Sequence, residues 1–171
     1  MAYTGKELAA HAAKALGRHY LWGGVNKPLT QSYLDWLRST YPEQITPERY
    51  QIAKGWIGEI VTDCAGLINS YYPGASTSAT KKVFTLDRNN TAALPVGAVL
   101  YRPGHFGVYV GNGMEIDARG FDYGVVKRPV KDTAFTQYWL FDVFQYGGSG
   151  GSVWPWILAA AAGILLLTSK K

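Results

Sequence analysis

The chain has few cysteines and few charged residues. Its 171 residues include 1 cysteine, which excludes both a disulfide framework and a cysteine-rich zinc site. Charged residues make up 17% of the sequence and apolar residues 47%. A disordered chain has the opposite balance, so the composition indicates a folded protein. The length suits one compact domain with an appendage.

Positive charge exceeds negative charge, with 17 Lys and Arg against 12 Asp and Glu and a net charge of +5. This excess favours adsorption to an anionic polymer or surface. The basic residues are not clustered as they are in a nucleic-acid interface, so we expect no nucleic-acid partner.

The first 20 residues are predicted to form a helix and not a signal peptide. They contain several charged side chains and no apolar run of the length that an export signal needs. Thr4 and Glu7 have the spacing of a capping box, in which the hydroxyl and the carboxylate each satisfy a free backbone N–H. The first helix therefore begins after Thr4.

Three more helices and then a run of strands are predicted. The helices cover about residues 29–40, begin again at Thr46 with an apolar stripe that continues to Ile60, and begin once more after Asp63. Beyond Leu86 the pattern alternates with period two, which predicts strands at residues 96–101, 105–110, 114–118, 124–130 and 139–144. Helices followed by an antiparallel meander indicate an α+β fold.

The C-terminal end differs in kind from the domain of residues 1–146. Residues 147–152 (GGSGGS) are typical of a flexible linker, natural or engineered. Residues 153–168 carry no charge, and Lys170 and Lys171 follow. With Trp154 and Trp156 at one interface, residues 153–171 are predicted to form a transmembrane-type helix. The alternative is an apolar helix buried in a larger assembly.

Cys64 is a candidate nucleophile, although a single free cysteine is more often a buried structural residue. Asp63 is a good N-cap residue and would place Cys64 in the first turn of a helix. There, free backbone N–H groups and the helix dipole favour the thiolate over the thiol. The small residues Ala65 and Gly66 would leave room for a substrate.

His105 is the candidate general base among the 3 histidines. We expect His11 to be solvated on the first helix and His19 to lie in a loop without a partner. His105 shares its strand face with Gly107, whose missing side chain would open a slot beside the imidazole ring.

The register of the next hairpin decides which way its acidic residues, Glu115 and Asp117, face. With a plain two-residue turn at residues 112–113, Asp117 would lie on the opposite face from His105. With a three-residue loop and a bulge, Gly107 opposes Asp117, and His105 becomes a diagonal neighbour on the same face. Catalysis requires the second register, in which a buried carboxylate orients the imidazole. The alternative for Asp117 is a solvated strand carboxylate.

Residues 20–24 (YLWGG) allow two interpretations. They form either a bare turn over the core or the wall of a cleft. In the second case the Tyr20 hydroxyl would donate a hydrogen bond to a developing oxyanion.

Three segments in this order resemble the NlpC/P60 cysteine peptidases, which are papain-like cell-wall hydrolases: residues 20–24 (YLWGG), 63–68 (DCAGLI) and 105–113 (HFGVYVGNG). The resemblance covers about residues 6–144, and residues 115–120 (EIDARG) with 123–126 (YGVV) resemble a phage and prophage branch. It implies a papain-like fold and the catalytic residues Cys64 as nucleophile, His105 as general base, Asp117 as orienting acid and Tyr20 as oxyanion donor. The expected substrate-binding residues are Trp22, Gly23, Asp63 and Gly107.

Three features depart from the family pattern. Asp117 stands where many members have histidine, and Ala65 stands where many have a serine that helps to bind a peptide amine. Residues 25–62 form a longer stretch than is common.

The function that the resemblance implies is hydrolysis of an amide bond in the stem peptide of peptidoglycan, with no metal or organic cofactor. The alternatives are an N-acetylmuramoyl-L-alanine amidase, a thiol acyltransferase, and a non-catalytic virion or wall-binding protein. The expected partners are peptidoglycan, a lipid membrane at the C-terminal helix, and other virion proteins. The expected location is the cell envelope or a phage particle.

Overall fold

The computed structural model describes residues 2–147. The linker predicted at residues 147–152, apart from Gly147, and the apolar tail predicted at residues 153–171 lie outside this range. Within it, no helix combines the length and the apolar character needed to cross a bilayer. The tail therefore stays a prediction.

Four helices and eleven strands make up the described chain, which confirms the α+β class. The helices are α1 (Gly5–Ala13), α2 (Gln31–Thr40), α3 (Pro47–Lys54) and α4 (Cys64–Asn69). The strands are β1 (Tyr3–Thr4), β2 (His19–Tyr20), β3 (Val25–Pro28), β4 (Ile60–Thr62), β5 (Lys81–Thr85), β6 (Val99–Arg102), β7 (His105–Gly111), β8 (Met114–Gly120), β9 (Gly124–Pro129), β10 (Gln137–Phe141) and β11 (Phe144–Gln145). A short 3₁₀ helix, Val130–Asp132, follows β9.

The main sheet has six antiparallel strands in the order β5-β10-β6-β7-β8-β9. Strands β6 to β9 are the predicted meander, and β10 returns to pair between β5 and β6. Strand β5 was not predicted, because its sequence KKVFT lacks alternation and most of it is exposed. It is held by its pairing with β10 and not by burial of one face.

The two faces of the main sheet are covered differently. Helices α1 and α4 pack on one face, where Leu8 and Leu67 meet Val108 and Ile116 in the largest apolar cluster. The opposite face carries Leu100, Tyr109 and Phe135 in a smaller cluster. Because side chains alternate along β7, His105 shares the face of Tyr109.

A second, smaller layer is built from residues 19–62. Its sheet has the order β2-β4-β3 and packs with α2 and α3 around a separate apolar cluster that includes Leu21, Leu37 and Val61. The prediction of one helix from Thr46 to Ile60 is wrong, because α3 ends at Lys54 and Ile60 begins β4. The chain turns between them through Gly58, whose φ of 95° suits glycine.

The start of α1 is capped as predicted, but by half of the expected motif. The Thr4 hydroxyl accepts a hydrogen bond from the Glu7 N–H at 3.1 Å. The Glu7 carboxylate does not return to the Thr4 backbone. It accepts from the hydroxyls of Thr4 and Tyr71 instead, at 3.0 and 2.9 Å, and the Thr4 N–H donates to Tyr71. A tyrosine distant in the chain therefore replaces the second half of the capping box.

Candidate active site

Cys64 is the first residue of α4, and Asp63 caps this helix as predicted. Asp63 Oδ1 accepts the Gly66 N–H at 2.6 Å, and Oδ2 accepts the Gly23 N–H at 2.9 Å. One carboxylate thus joins the start of the helix to the turn at residues 20–24. Asp63 and Gly23 were expected to bind substrate. These hydrogen bonds give them a structural role, and substrate binding by either residue stays a prediction.

The glycine at position 66 is required by close packing of two backbones. A Cβ atom on Gly66 would lie 1.9 Å from the carbonyl oxygen of Gly24. No side chain fits at that distance, so only glycine allows α4 to approach this turn. The expectation that Gly66 leaves room for a substrate is wrong, because the Gly24 backbone occupies that room.

The expected thiolate at the helix start is also wrong for the free protein. Burial and then the negative charge of Asp63 raise the pKa of the Cys64 thiol to about 11. The backbone N–H groups of Phe106, Ala65 and Cys64 itself act in the opposite direction but do not compensate. The stabilisation that the helix start offers a thiolate is outweighed by desolvation and by the capping carboxylate.

Tyr20 lies close enough to Cys64 for a charge on the sulfur to affect the pKa of the tyrosine hydroxyl. Burial raises the pKa of the Tyr20 hydroxyl, and negative charge on Cys64 or Asp63 raises it further. The hydroxyl is therefore a proton donor at neutral pH. This is the state that an oxyanion donor needs.

Residues 20–22 line a cleft, but Leu21 is also buried in the core and neither Cys64 nor His105 lines this cleft, so both interpretations of the YLWGG segment stay predictions. The cleft has a volume of about 210 Å³. Trp22 is 42% exposed on its wall. The lining residues are Tyr20, Leu21, Trp22, Gln44, Ile45, Arg49, Gly120 and Phe121. The long stretch at residues 25–62 thus contributes one side of the cleft.

His105 and Asp117 are brought together by the register that catalysis requires. His105 Nε2 lies 2.7 Å from Asp117 Oδ2, and both side chains are buried.

The hairpin that sets this register contains a bulge. Tyr109 pairs with Glu115 and Gly111 with Met114, so Val110 is an extra residue in β7. The bulge therefore lies within the strand. The expected three-residue loop is wrong, because the turn itself has two residues, Asn112 and Gly113, both with positive φ.

Arg128 is a member of this cluster that sequence reasoning missed. Its Nη2 donates to Asp117 Oδ2 at 2.8 Å and its Nε donates to Glu115 Oε1 at 2.9 Å. Arg128 stands directly opposite Glu115 in the pairing of β8 with β9. An arginine across from two acidic residues on one strand face is the signal that could have found it, once the register of β9 was known.

Glu115 and Arg128 differ in their charge state at neutral pH. Burial and then the charge of Asp117 raise the pKa of Glu115 to about 9, so Glu115 is protonated at neutral pH. Burial alone would lower the pKa of Arg128, but hydrogen bonds and charge from Asp117 and Glu115 raise it, so the guanidinium stays charged. The neutral form of Glu115 leaves one negative and one positive group beside His105.

The prediction of an open slot beside the His105 ring is wrong, because the side chains of Glu115 and Phe135 fill this space. A Cβ atom on Gly107 would lie 2.7 Å from Glu115 Oε2 and 2.8 Å from the Phe135 ring. Phe135 stacks on His105 with ring centroids 5.6 Å apart and an interplanar angle of 4°. Gly107 therefore makes room for the protein's own side chains. Substrate binding at this glycine stays a prediction.

The other two histidines have partners that were not expected. His11 is half-buried, and its Nε2 lies 2.8 Å from the Ser70 hydroxyl. Burial, and then the positive charges of Arg18 and Lys14, lower its pKa. His19 stacks on Trp56 at 4.2 Å and lies 3.0 Å from Glu59. The expectations of a solvated His11 and an unpartnered His19 are both wrong.

Two consecutive residues of β7, His105 and Phe106, belong to the candidate site. The Phe106 N–H faces the Cys64 thiol, and the preceding residue, His105, carries the imidazole. The site thus has a thiol, a proton-donating hydroxyl and a carboxylate-bound imidazole, which are the groups of thiol-based acyl chemistry. Within residues 2–147, no group of three His, Cys, Asp or Glu side chains is placed to hold a metal ion.

Neither a family model nor a curated protein sequence matches the chain. Its fold is similar to that of NlpC2 from Trichomonas vaginalis, with 16% identity and a TM-score of 0.47 over 80% of this chain and 47% of the other. The peptidoglycan hydrolase RipB from Mycobacterium tuberculosis is 18% identical, with a TM-score of 0.46 over 83% of this chain and 66% of RipB.

A third similar structure is the P60 domain of an antigen from M. avium subspecies paratuberculosis, with 18% identity and a TM-score of 0.39 over 81% of this chain and 97% of that domain. The matched region spans about half of NlpC2 and two thirds of RipB. At these identities the likeness concerns the fold alone.

Proposed function

We propose that this protein is a cysteine hydrolase of the NlpC/P60 type that cleaves an amide bond in the stem peptide of peptidoglycan. The observation that carries the proposal is the buried His105–Asp117 pair, 2.7 Å apart, at the start of the strand whose next backbone N–H faces Cys64. A nucleophile, a base and a residue that orients the base are the groups that such catalysis uses.

The reaction begins from a protonated thiol. The Cys64 sulfur attacks the substrate carbonyl while its proton passes to His105, since burial keeps the free thiol protonated. The Tyr20 hydroxyl and the Cys64 N–H donate to the oxyanion of the tetrahedral intermediate. His105 then protonates the leaving amine, and water activated by the same imidazole hydrolyses the thioester.

The substrate class rests on the three motif segments and on the net charge. A charge of +5 aids adsorption to an anionic wall, and this attraction weakens as salt rises. We also propose that Trp22, which is exposed on the wall of a cleft, contacts the substrate. We also propose, from the sequence alone, that residues 153–171 attach the protein to a membrane and that it acts at the cell envelope or in a phage particle.

Incubation of the full-length protein with purified cell walls tests this function. We expect new amino groups to appear with the wild type and none with Cys64→Ser. His105→Gln should reduce the rate by at least about 100-fold, because general base catalysis contributes this much. The matched control is His11→Gln, which alters a half-buried histidine outside the site. Equal release by wild type and Cys64→Ser would refute the proposal.

The products of the same assay separate the alternatives. Release of peptides that begin with L-alanine would indicate the amidase, and an acyl group transferred to an added amine would indicate the acyltransferase. Wall binding without any cleavage would indicate a non-catalytic wall protein.

A further inference from the structure

We propose that Arg128 is a positioning residue for the reaction of Cys64 and His105, acting through the Asp117 oxygen that holds the imidazole. This inference deepens the proposed function and rests on it. Arg128 itself touches neither the thiol nor the ring in the hydrogen bonds described above. Its role would be to set the orientation of Asp117 and the proton affinity of His105.

The hydrogen bonds of Asp117 end on a single oxygen. Oδ2 lies 2.7 Å from His105 Nε2 and 2.8 Å from Arg128 Nη2. Oδ1 is buried and has no hydrogen-bond partner among the described residues. The carboxylate therefore depends on Arg128 to resist rotation about its own side chain, and the imidazole depends on the carboxylate.

Arg128 is fixed in turn by Glu115 in the neighbouring strand. The Nε of Arg128 donates to Glu115 Oε1 at 2.9 Å, and the two residues are directly opposed in the sheet. Two different nitrogens of one planar guanidinium thus bind two carboxyl groups, an arrangement that a lysine ammonium cannot reproduce. Glu115 Oε2 is buried and unpartnered within the same part of the chain. Glu115 thus anchors the arginine through one oxygen only.

The charge of Arg128 affects how readily His105 holds a proton. A bare carboxylate stabilises the imidazolium strongly, and a guanidinium on the same oxygen opposes this effect. The other polar groups near the pair act less directly. Tyr109, opposite Glu115, donates its hydroxyl to the Thr91 carbonyl, and the charge of Arg119 acts on Glu115. Phe135 covers the ring with an apolar surface.

A purely structural role for Arg128 would predict loss of stability with no change in the titration of His105. A positioning role predicts that removal of the positive charge moves the midpoint of this titration upward. The acid limb of the plot of reaction rate against pH would then also move to higher pH, because His105 must be unprotonated to accept the thiol proton.

Titration of His105 by NMR in the full-length Cys64→Ala protein tests this inference without any need for activity. The His105 signal is assigned by its loss in His105→Gln. We expect Arg128→Gln to raise the midpoint and Arg128→Lys to restore most of it. The matched control is Lys131→Gln, which removes an exposed positive charge three residues away. An unchanged midpoint in folded Arg128→Gln would overturn the inference, whatever becomes of the proposed function.

Arg128→Lys supplies a second test should Arg128→Gln fail to fold. In the otherwise wild-type protein it keeps the charge but cannot hold both carboxyl groups, so kcat/KM for wall peptides should fall by about tenfold through kcat. Wild-type kcat/KM in a folded Arg128→Lys variant would overturn the positioning role. Complete absence of activity in the wild type would instead mark failure of the proposed function.

Discussion

The thiol half and the imidazole half of the candidate site are built in different ways. Around Cys64, the structure depends on backbone: the Gly23 and Gly66 N–H groups bind Asp63, and Gly66 packs on the Gly24 carbonyl. Around His105, it depends on buried side-chain charges brought into line by strand register. The first half should therefore respond most to added volume, and the second half to altered charge.

The largest expected effect on the free energy of unfolding comes from removal of the Asp117 charge. Asp117→Asn leaves Arg128 and His105 without their shared carboxylate, so we expect a destabilisation of about 3 kcal/mol, as for other broken buried pairs. Urea denaturation measures it, with the exposed Asp142→Asn as the matched control. If Asp117→Asn lowers the free energy of unfolding no more than the control does, the imidazole half does not depend on buried charge.

Added volume should disrupt the thiol half by a somewhat smaller amount. Gly66→Ala places a methyl group 1.9 Å from the Gly24 carbonyl oxygen, and we expect about 2 kcal/mol of destabilisation from the overpacking. The control is Gly55→Ala, where the nearest atom is the Ile52 carbonyl oxygen at 3.2 Å. If the two alanine variants unfold at the same urea concentration, the close backbone contact is not a constraint.

The protonated Glu115 should make stability depend on pH. Its pKa is about 9 in the folded protein and near 4.5 when unfolded, so the native state holds one more proton between these values. Its contribution is complete below the unfolded pKa and is lost as pH rises toward the folded one, by about 1.4 kcal/mol per unit. Glu115→Gln should therefore flatten this slope between pH 6 and 8. An unaltered slope would indicate that Glu115 is ionised.

The smallest expected effect concerns the reactivity of the thiol. Because the pKa of Cys64 is raised to about 11, alkylation by iodoacetamide at pH 7 should be slower than for a free cysteine. Asp63→Asn should accelerate it, since one cause of the raised pKa is removed; the amide oxygen still accepts the Gly66 N–H, while the hydrogen bond to the Gly23 N–H is lost. A reactive plateau extending below pH 7 in the wild type would show instead a thiolate paired with His105.

The parts of the site that local sequence determines were predictable. The cap by Asp63 follows from residue type next to a helix start. The shared face of His105 and Asp117 follows from strand parity together with the requirement of catalysis. Parity alone did not decide the register, because the bulge at Val110 shifts the pairing of β7 with β8 by one residue.

Features that depend on distant residues were not predictable in the same way. Arg128 and Phe135 join the site through the β9 pairing and through the chain after the 3₁₀ helix. The raised pKa of Cys64 results from burial, which no local pattern reports. Likewise, the short strands β2, β3 and β4 have too few residues for a period to appear, and their pairing with one another holds them in place.

The most direct test of the account is intact-mass spectrometry of the protein after acid quenching during turnover of soluble wall peptides. If Cys64 is the nucleophile, a fraction of the wild-type protein will carry the mass of one acyl group, located on the peptide that contains Cys64 and absent from Cys64→Ala. Steady amide cleavage by Cys64→Ala, with no acyl adduct on the wild type, would contradict the account.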